Sequence, residues 1–135
     1  MKYTSHDLYT LSRILAISGD RLNIISGPDE LFVPCQVIGA QGAIGTTYNF
    51  MPRPYLEAYR ALQSGDIAQA RMWQARANRV LEIIFRFSVL SATKEVMRML
   101  DLDCGEPRRP LRPLTPTERA DLKARLVEAG LFDLV

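Results

Sequence analysis

The sequence is poor in the residues that build metal centres and covalent cross-links. Its 135 residues include only two cysteines, Cys35 and Cys104, which lie far apart, and a single histidine, His6. Two separated thiols without accompanying histidines fit neither a disulfide framework nor a zinc site. We therefore expect no metal ion, and a reducing cytoplasm is the default location.

Long apolar runs and a strong charge imbalance are also missing. No apolar stretch is long enough to span a bilayer, and residues 2–7 are polar, so that no signal peptide is readable. A net charge of +2 is too small to indicate a nucleic-acid or membrane partner. The composition, 47% hydrophobic and 24% charged, is typical of a soluble globular protein of one ordinary domain.

The first 53 residues alternate between short apolar runs and helical patterns. We predict strands at residues 3–5, 22–26 and 42–45, and helices at residues 7–18 and 31–38. Strands that alternate with helices in this order are the mark of a parallel α/β fold. Small apolar strands of this kind suit a sheet that is covered on both faces.

The rest of the chain is helical almost throughout. We predict helices at residues 54–63, 66–87, 92–100 and 115–128, with a proline-rich connector at 105–113 that cannot form a helix. The last helix opens with Thr115-Pro116-Thr117-Glu118, the pattern of a capping box with proline in the first turn. The chain therefore divides into three β/α units, residues 1–53, and a helical part, residues 54–135.

Three polar loops follow the predicted strands. They are the segment that begins with Lys2, the turn Gly27-Pro28-Asp29-Glu30, and the segment Gly45-Thr46-Thr47. In a parallel α/β sheet the carboxyl ends of the strands lie at one edge, which is where ligands bind. We therefore expect these three loops to meet.

Lys2 is the candidate with the most specific chemistry. A lysine at a strand end can form a Schiff base with a keto acid, and the resulting iminium is an electron sink that allows cleavage of a nearby carbon–carbon bond. The amine must be neutral to react, whereas a free lysine has a pKa of about 10.4, so burial in an apolar barrel would have to lower it. From the residues alone, a solvated lysine near the terminus is the simpler alternative.

The other loop residues have equally ordinary alternatives. Asp29 and Glu30 precede a helix, where carboxylates cap the backbone and compensate the helix dipole, or they accept hydrogen bonds from a polyhydroxylated ligand. Gly27 would let the backbone approach that ligand closely. Thr46 and Thr47 either donate hydroxyl hydrogen bonds to it or form a polar strand end. His6 reads as an isolated structural residue beside a helix start.

Together these motifs resemble the dihydrodipicolinate synthase and N-acetylneuraminate lyase family. Met1-Lys2-Tyr3-Thr4 is similar to the family's lysine-bearing segment of strand six. The segments 27–30 (Gly-Pro-Asp-Glu) and 45–49 (Gly-Thr-Thr-Tyr-Asn) resemble those of the lyase branch after strands seven and eight. The resemblance implies the C-terminal half of a (β/α)8 TIM barrel, strands six to eight with their helices, followed by a C-terminal helical extension.

The resemblance also implies an activity and its residues. It makes Lys2 the Schiff-base residue of a class I aldolase that cleaves sialic acid reversibly to pyruvate and N-acetylmannosamine. It assigns the substrate contacts to Thr4, Gly27, Asp29, Glu30 and Thr46. No cofactor or metal is implied, the partners are small molecules, and members of the family are commonly tetramers.

Several family features have no match in this sequence. Strands one to five, their hydroxyl-rich loop and the strand-five tyrosine that transfers protons all lack counterparts, so we expect the chain alone to be inactive. The alternatives are a related aldolase for 2-keto-3-deoxy sugar acids, a dihydrodipicolinate synthase-like enzyme, or a non-catalytic half-barrel that serves as an interaction module.

Overall fold

A computed structural model describes residues 1–135, which form two short parallel strands and six α-helices. The strands are β1 (Lys2–Tyr3) and β2 (Ile25–Ser26). The helices are α1 (Leu8–Ser18), α2 (Phe32–Ile38), α3 (Arg53–Gln63), α4 (Ile67–Ile84), α5 (Val89–Met99) and α6 (Pro116–Glu128). The first two predicted strand–helix units and the helical remainder are thus confirmed.

The sheet is smaller than predicted. β1 and β2 pair in parallel, with Lys2 opposite Ile25 and Tyr3 opposite Ser26. The predicted strand at residues 42–45 is wrong as a regular strand, because only one bridge joins Ser26 to Ala43. Its hydrogen bonds follow a parallel ladder, for Ser26 N–H donates to Gly42 O and Ile44 N–H to Ser26 O, both at 2.9 Å. The pairing stops there because the chain turns at Gly45 toward Asp29.

Helix boundaries mostly follow the local signals. Asp7 caps α1 by accepting a hydrogen bond from Thr10 N–H at 3.0 Å, and Gly39 ends α2 with a left-handed φ of 116°. Thr115 and Glu118 form the predicted capping box of α6. The predicted helix at 66–87 is too long, since α4 ends at Ile84, and α5 begins three residues before the predicted start.

Two apolar cores hold these elements together. The larger one draws 19 buried residues from the helices and the loops between them, and four of these, Phe32, Val33, Phe50 and Met51, come from the first 53 residues. The smaller one, formed by Leu11, Ile24, Cys35 and Ala40, packs α1 and α2 against one face of the sheet. Both cysteines are free, and no helix combines the length and apolarity needed to cross a bilayer.

The other face of the sheet stays open. Residues that pair across parallel strands point to the same side, so Lys2 and Ile25 share a face, while Tyr3 and Ser26 face the helices. Lys2 is exposed, and Ile44, which follows the bridging residue, is 54% exposed. The open face therefore presents Lys2 beside the three polar loops.

Candidate active site

A cavity of about 430 Å³ lies where the three loops meet. All six residues predicted from the sequence line it: Lys2, Thr4, Gly27, Asp29, Glu30 and Thr46. The opposite wall is apolar and comes from the end of α4 and the start of α5, through Leu81, Phe85 and Val89. The cavity therefore places a charged, hydroxyl-rich side against an apolar side.

Gly27 allows Lys2 to cross the second loop. A methyl group on Gly27 would lie 2.6 Å from Lys2 Cε and would overlap the Thr4 hydroxyl. The position is held by the backbone, because Gly27 N–H donates to Tyr3 O at 2.8 Å. Only glycine leaves room for this approach, so the lysine stem, Thr4 and the second loop are in direct contact.

Asp29 is the buried acid of the site. Asp29 is only 6% exposed. Its Oδ2 accepts hydrogen bonds from Thr47 N–H at 2.9 Å and from Thr47 Oγ1 at 2.7 Å. Gly45 is packed so closely that a methyl group there would overlap the carboxylate. The second oxygen, Oδ1, is buried without a hydrogen-bond partner. A buried acceptor without a donor is energetically costly, so this oxygen adds to the cost of ionising Asp29.

The electrostatics of Asp29 follow from its burial. Desolvation raises the pKa of this carboxyl above its ordinary value, because the charged form loses contact with water. The two hydrogen bonds from Thr47 and the positive charge of Lys2 act in the opposite direction and lower the pKa of Asp29. The effect of burial is the larger one, so the pKa of Asp29 is raised overall. The hydrogen bonds from Thr47 are therefore needed to stabilise the ionised carboxylate.

The two threonines of the third loop have different roles. Thr47 is buried, and its hydroxyl also shares a hydrogen bond of 2.7 Å with the hydroxyl of Tyr55, itself 5% exposed. Thr46 is exposed, lines the cavity, and makes no side-chain hydrogen bond within the protein. Thr46 is thus free to donate to a ligand, while Thr47 supports Asp29.

Side chains of α4 bind the backbone of the turn that carries Asp29 and Glu30. Gln74, which is buried, accepts a hydrogen bond from Val33 N–H at 2.8 Å and donates to Asp29 O at 3.2 Å. Its amide also donates to Asn78 Oδ1 at 2.9 Å, and Asn78 donates to Glu30 O at 3.4 Å. The backbone on which both carboxylates sit is therefore fixed by two amides of one helix.

Gln74, Asn78 and Tyr55 were not predicted as site residues from the sequence. The sequence does contain an indication for Gln74, because this polar residue lies at helical spacing among the apolar residues Ala70, Ala77 and Leu81 of the buried face of α4. A polar residue in such a stripe needs a buried partner. The sequence does not say that the partner is the turn at Asp29.

His6 and Glu30 connect the first and second loops. His6 Nε2 and Glu30 Oε1 are 2.6 Å apart, and both residues line the cavity. His6, which the sequence presents as isolated, is therefore paired with one of the predicted substrate contacts.

Parallel strands with polar loops at their carboxyl ends place the chain among α/β proteins whose sites lie at that edge of the sheet. A model of the dihydrodipicolinate synthetase family matches residues 1–129. The chain belongs to that family.

Its relatives include N-acetylneuraminate lyases. The N-acetylneuraminate lyase of Rhizobium meliloti (strain 1021) is 38% identical over 124 residues, which are 92% of this chain and 40% of that protein. The solved structure of Proteus mirabilis N-acetylneuraminate lyase is 32% identical with a TM-score of 0.88, over 97% of this chain and 44% of the other. The Fusobacterium nucleatum lyase, solved with pyruvate, is 28% identical with a TM-score of 0.85, over 94% of this chain and 43% of the other. The chain thus spans less than half the length of these relatives.

Proposed function

We propose that the chain carries the lysine and the sugar-binding loops of an N-acetylneuraminate lyase-like class I aldolase. In this proposal residues 1–53 are the last three β/α units of a TIM barrel, and residues 54–135 are its last helix and a helical extension. The reaction is the reversible cleavage of sialic acid to pyruvate and N-acetylmannosamine. The observation that carries the proposal is the meeting of Lys2, two carboxylates and two exposed threonines around one cavity.

Lys2 is the nucleophile of the proposed reaction. Its amine adds to the ketone carbon of the substrate, and loss of water leaves a protonated imine. When the C4 hydroxyl gives up its proton, the C3–C4 bond breaks, the bonding electrons enter the imine system as an enamine, and the sugar leaves as an aldehyde. Protonation and hydrolysis then release pyruvate and the free amine. Lys2 is suited to this role because it belongs to none of the ion pairs in the structure.

The hydroxyls of the sugar are assigned to the acidic and threonine loops. Asp29 lines the cavity, and two hydrogen bonds from Thr47 hold its carboxylate there. Glu30 offers a second carboxylate, and the exposed hydroxyls of Thr4 and Thr46 complete a polar wall. Because Gly27 has no side chain, its backbone leaves room for the substrate beside Lys2.

The branch of the family is supported by the motifs and by the relatives together. The segments 27–30 and 45–49 resemble those of the lyase branch, and relatives of the chain carry the name N-acetylneuraminate lyase. The strand-five tyrosine of that resemblance has no counterpart here. Imine formation on Lys2 is the first step of the proposed reaction and is measured separately from turnover.

Borohydride trapping tests the proposal directly. The chain is incubated with pyruvate and borohydride, and the adduct is located by peptide mass mapping. We expect the mass of one reduced pyruvate on Lys2, which the mapping distinguishes from the amine of Met1. Lys2→Arg keeps the charge and should abolish the adduct, while Lys94→Arg and Lys123→Arg are matched controls that should retain it. Labelling of Lys94 or Lys123 with Lys2 untouched would contradict the assignment.

Substrate choice is tested with aldehydes. After Lys2 has formed the enamine with pyruvate, N-acetylmannosamine, other sugar aldehydes and aspartate semialdehyde are supplied in parallel, and condensation products are measured by mass spectrometry. We expect N-acetylmannosamine to be preferred. A preference for aspartate semialdehyde would assign the chain to synthase chemistry instead.

A further inference from the structure

The contact between His6 and Glu30 has no role in the chemistry described so far. His6 stands in the loop after β1 and Glu30 in the turn after β2, 24 residues later, and their side chains meet at 2.6 Å. Because a carboxylate only accepts hydrogen bonds, His6 Nε2 is the donor. No other ion pair of the structure joins two residues that line the cavity.

Both ends of this contact are held in place by other bonds. On one side, Ser5 Oγ accepts from Asp7 N–H at 3.1 Å and Asp7 caps α1, which fixes the backbone around His6. On the other side, Asn78 donates to the carbonyl of Glu30 at 3.4 Å. The pair therefore joins two loops whose backbones are already ordered.

His6 is the only hydrogen-bond partner of the Glu30 carboxylate within the protein. The bond occupies Oε1 and leaves Oε2 without a protein donor. The His6 side chain is 75% exposed, and a polar contact this open to water contributes little to stability. Its effect is to restrict the orientation of a carboxylate that shares its cavity with Lys2 and Asp29.

We propose that His6 is a positioning residue that sets substrate preference by holding Glu30 with one oxygen directed to a hydroxyl of the sugar. This inference rests on the proposed aldolase function and assigns a residue to its polyol end. Without His6 the carboxylate is free to turn toward the ammonium of Lys2, the unpaired cation of the same cavity. The sugar would then lose a fixed acceptor, and the lysine would gain a competing partner.

The test compares two ligands in the same protein. Borohydride trapping on Lys2 is measured against concentration, once with pyruvate and once with sialic acid, for the wild type, His6→Ala and His6→Gln. We expect His6→Ala to raise the half-saturating concentration of sialic acid about tenfold more than that of pyruvate, as loss of one charge-assisted hydrogen bond implies. His6→Gln keeps an N–H donor and should recover most of the difference.

A double-mutant cycle tests whether His6 acts through Glu30. In a Glu30→Gln background, His6→Ala should add less than twofold to the loss. Equal shifts for pyruvate and sialic acid, no shift in either, or full additivity with Glu30→Gln would each overturn the role of His6.

A separate outcome would indicate that the aldolase proposal itself has failed. If pyruvate forms no adduct on Lys2 in any variant, the Schiff-base function is wrong. Binding of N-acetylmannosamine, followed by NMR in the same variants, still tests His6, because it requires no covalent step. Weaker binding to His6→Ala, with recovery in His6→Gln, would support the positioning role, and equal binding to all three would refute it.

Discussion

Replacing Thr47 with valine should show how strongly the site depends on one buried hydroxyl. The substitution keeps the size and branching of the side chain and leaves the bond from Thr47 N–H to Asp29 Oδ2 intact. It removes the hydroxyl that lies 2.7 Å from Asp29 Oδ2 and 2.7 Å from the hydroxyl of Tyr55. Thr47 is 1% exposed, so water does not replace the lost donor.

The size of the effect follows from the two bonds that are lost. A hydrogen bond to a charged group contributes about 1.5–3 kcal/mol, and a buried hydroxyl left without a partner costs about 1–3 kcal/mol. Because Asp29 can relax toward another donor and Tyr55 toward another acceptor, we expect Thr47→Val to lower the free energy of unfolding by about 2–4 kcal/mol in total. That is a large share of the roughly 5–15 kcal/mol that stabilises an ordinary domain.

The loss should also depend on pH, with a definite sign. Burial already raises the pKa of Asp29, and removing a donor to the ionised form raises it further. Above the ordinary carboxyl pKa of 3.8, ionisation therefore costs the folded variant more than the folded wild type. The difference in unfolding free energy between the two proteins should be smallest below this pH and should grow as pH rises through the raised pKa of Asp29.

Urea denaturation at a series of pH values measures both effects. Thr46→Val is the matched control, because its hydroxyl is exposed and unbonded within the protein; it should change stability by less than about 0.5 kcal/mol. Tyr55→Phe removes only one end of the network, and its combination with Thr47→Val should cost less than the sum of the two. A Thr47→Val protein as stable as Thr46→Val at every pH would refute the reasoning.

Two further predictions concern the same turn. In the wild type, the free energy of unfolding should fall as pH rises through the raised pKa of Asp29, because the folded state holds that proton more tightly than the unfolded state. Asp29→Asn should flatten this part of the pH profile. An unchanged slope of unfolding free energy against pH, measured by urea titration, would contradict the stated direction of the pKa shift. Gln74→Leu leaves Val33 N–H without its partner and removes one of the two donors to Asp29 O, so it should cost about 1–3 kcal/mol in urea denaturation. Gln69→Leu, on an exposed position of the same helix, is its control and should be near neutral, so equal losses in the two would argue against the role of Gln74.

Local signals predicted much of the fold. The capping box at Thr115 and the ends of α1 at Ser18 and α2 at Ile38 lie where the chain pattern indicates, because the signals that set them act within one helical turn. Strand lengths were predicted less well. The segment 42–45 has strand-like residues, but pairing also requires a neighbouring backbone, and the turn toward Asp29 leaves only one bridge to Ser26.

The sequence predicted which residues line the candidate site, but it did not predict the hydrogen bonds between them. The order of strands and loops was enough to expect Lys2, Asp29 and Thr46 around one cavity, since the carboxyl ends of parallel strands lie together. Their functional roles remain predictions. From the residues alone Thr46 and Thr47 were equivalent candidates, and only the family resemblance selected Thr46. The structure bonds Thr47 to Asp29 and leaves the Thr46 hydroxyl to the cavity.

The sequence by itself determined the family, the strand–helix order and the residues at the strand ends, because these are written in motifs and in short-range periodicity. Only the tertiary structure decided which of those residues bond to one another. The partners of Asp29, Glu30 and Val33 stand 18, 24 and 41 residues away along the chain, so no local pattern relates them. Packing of α4 and of the three loops brings them within hydrogen-bond distance, and burial then determines which bonds matter.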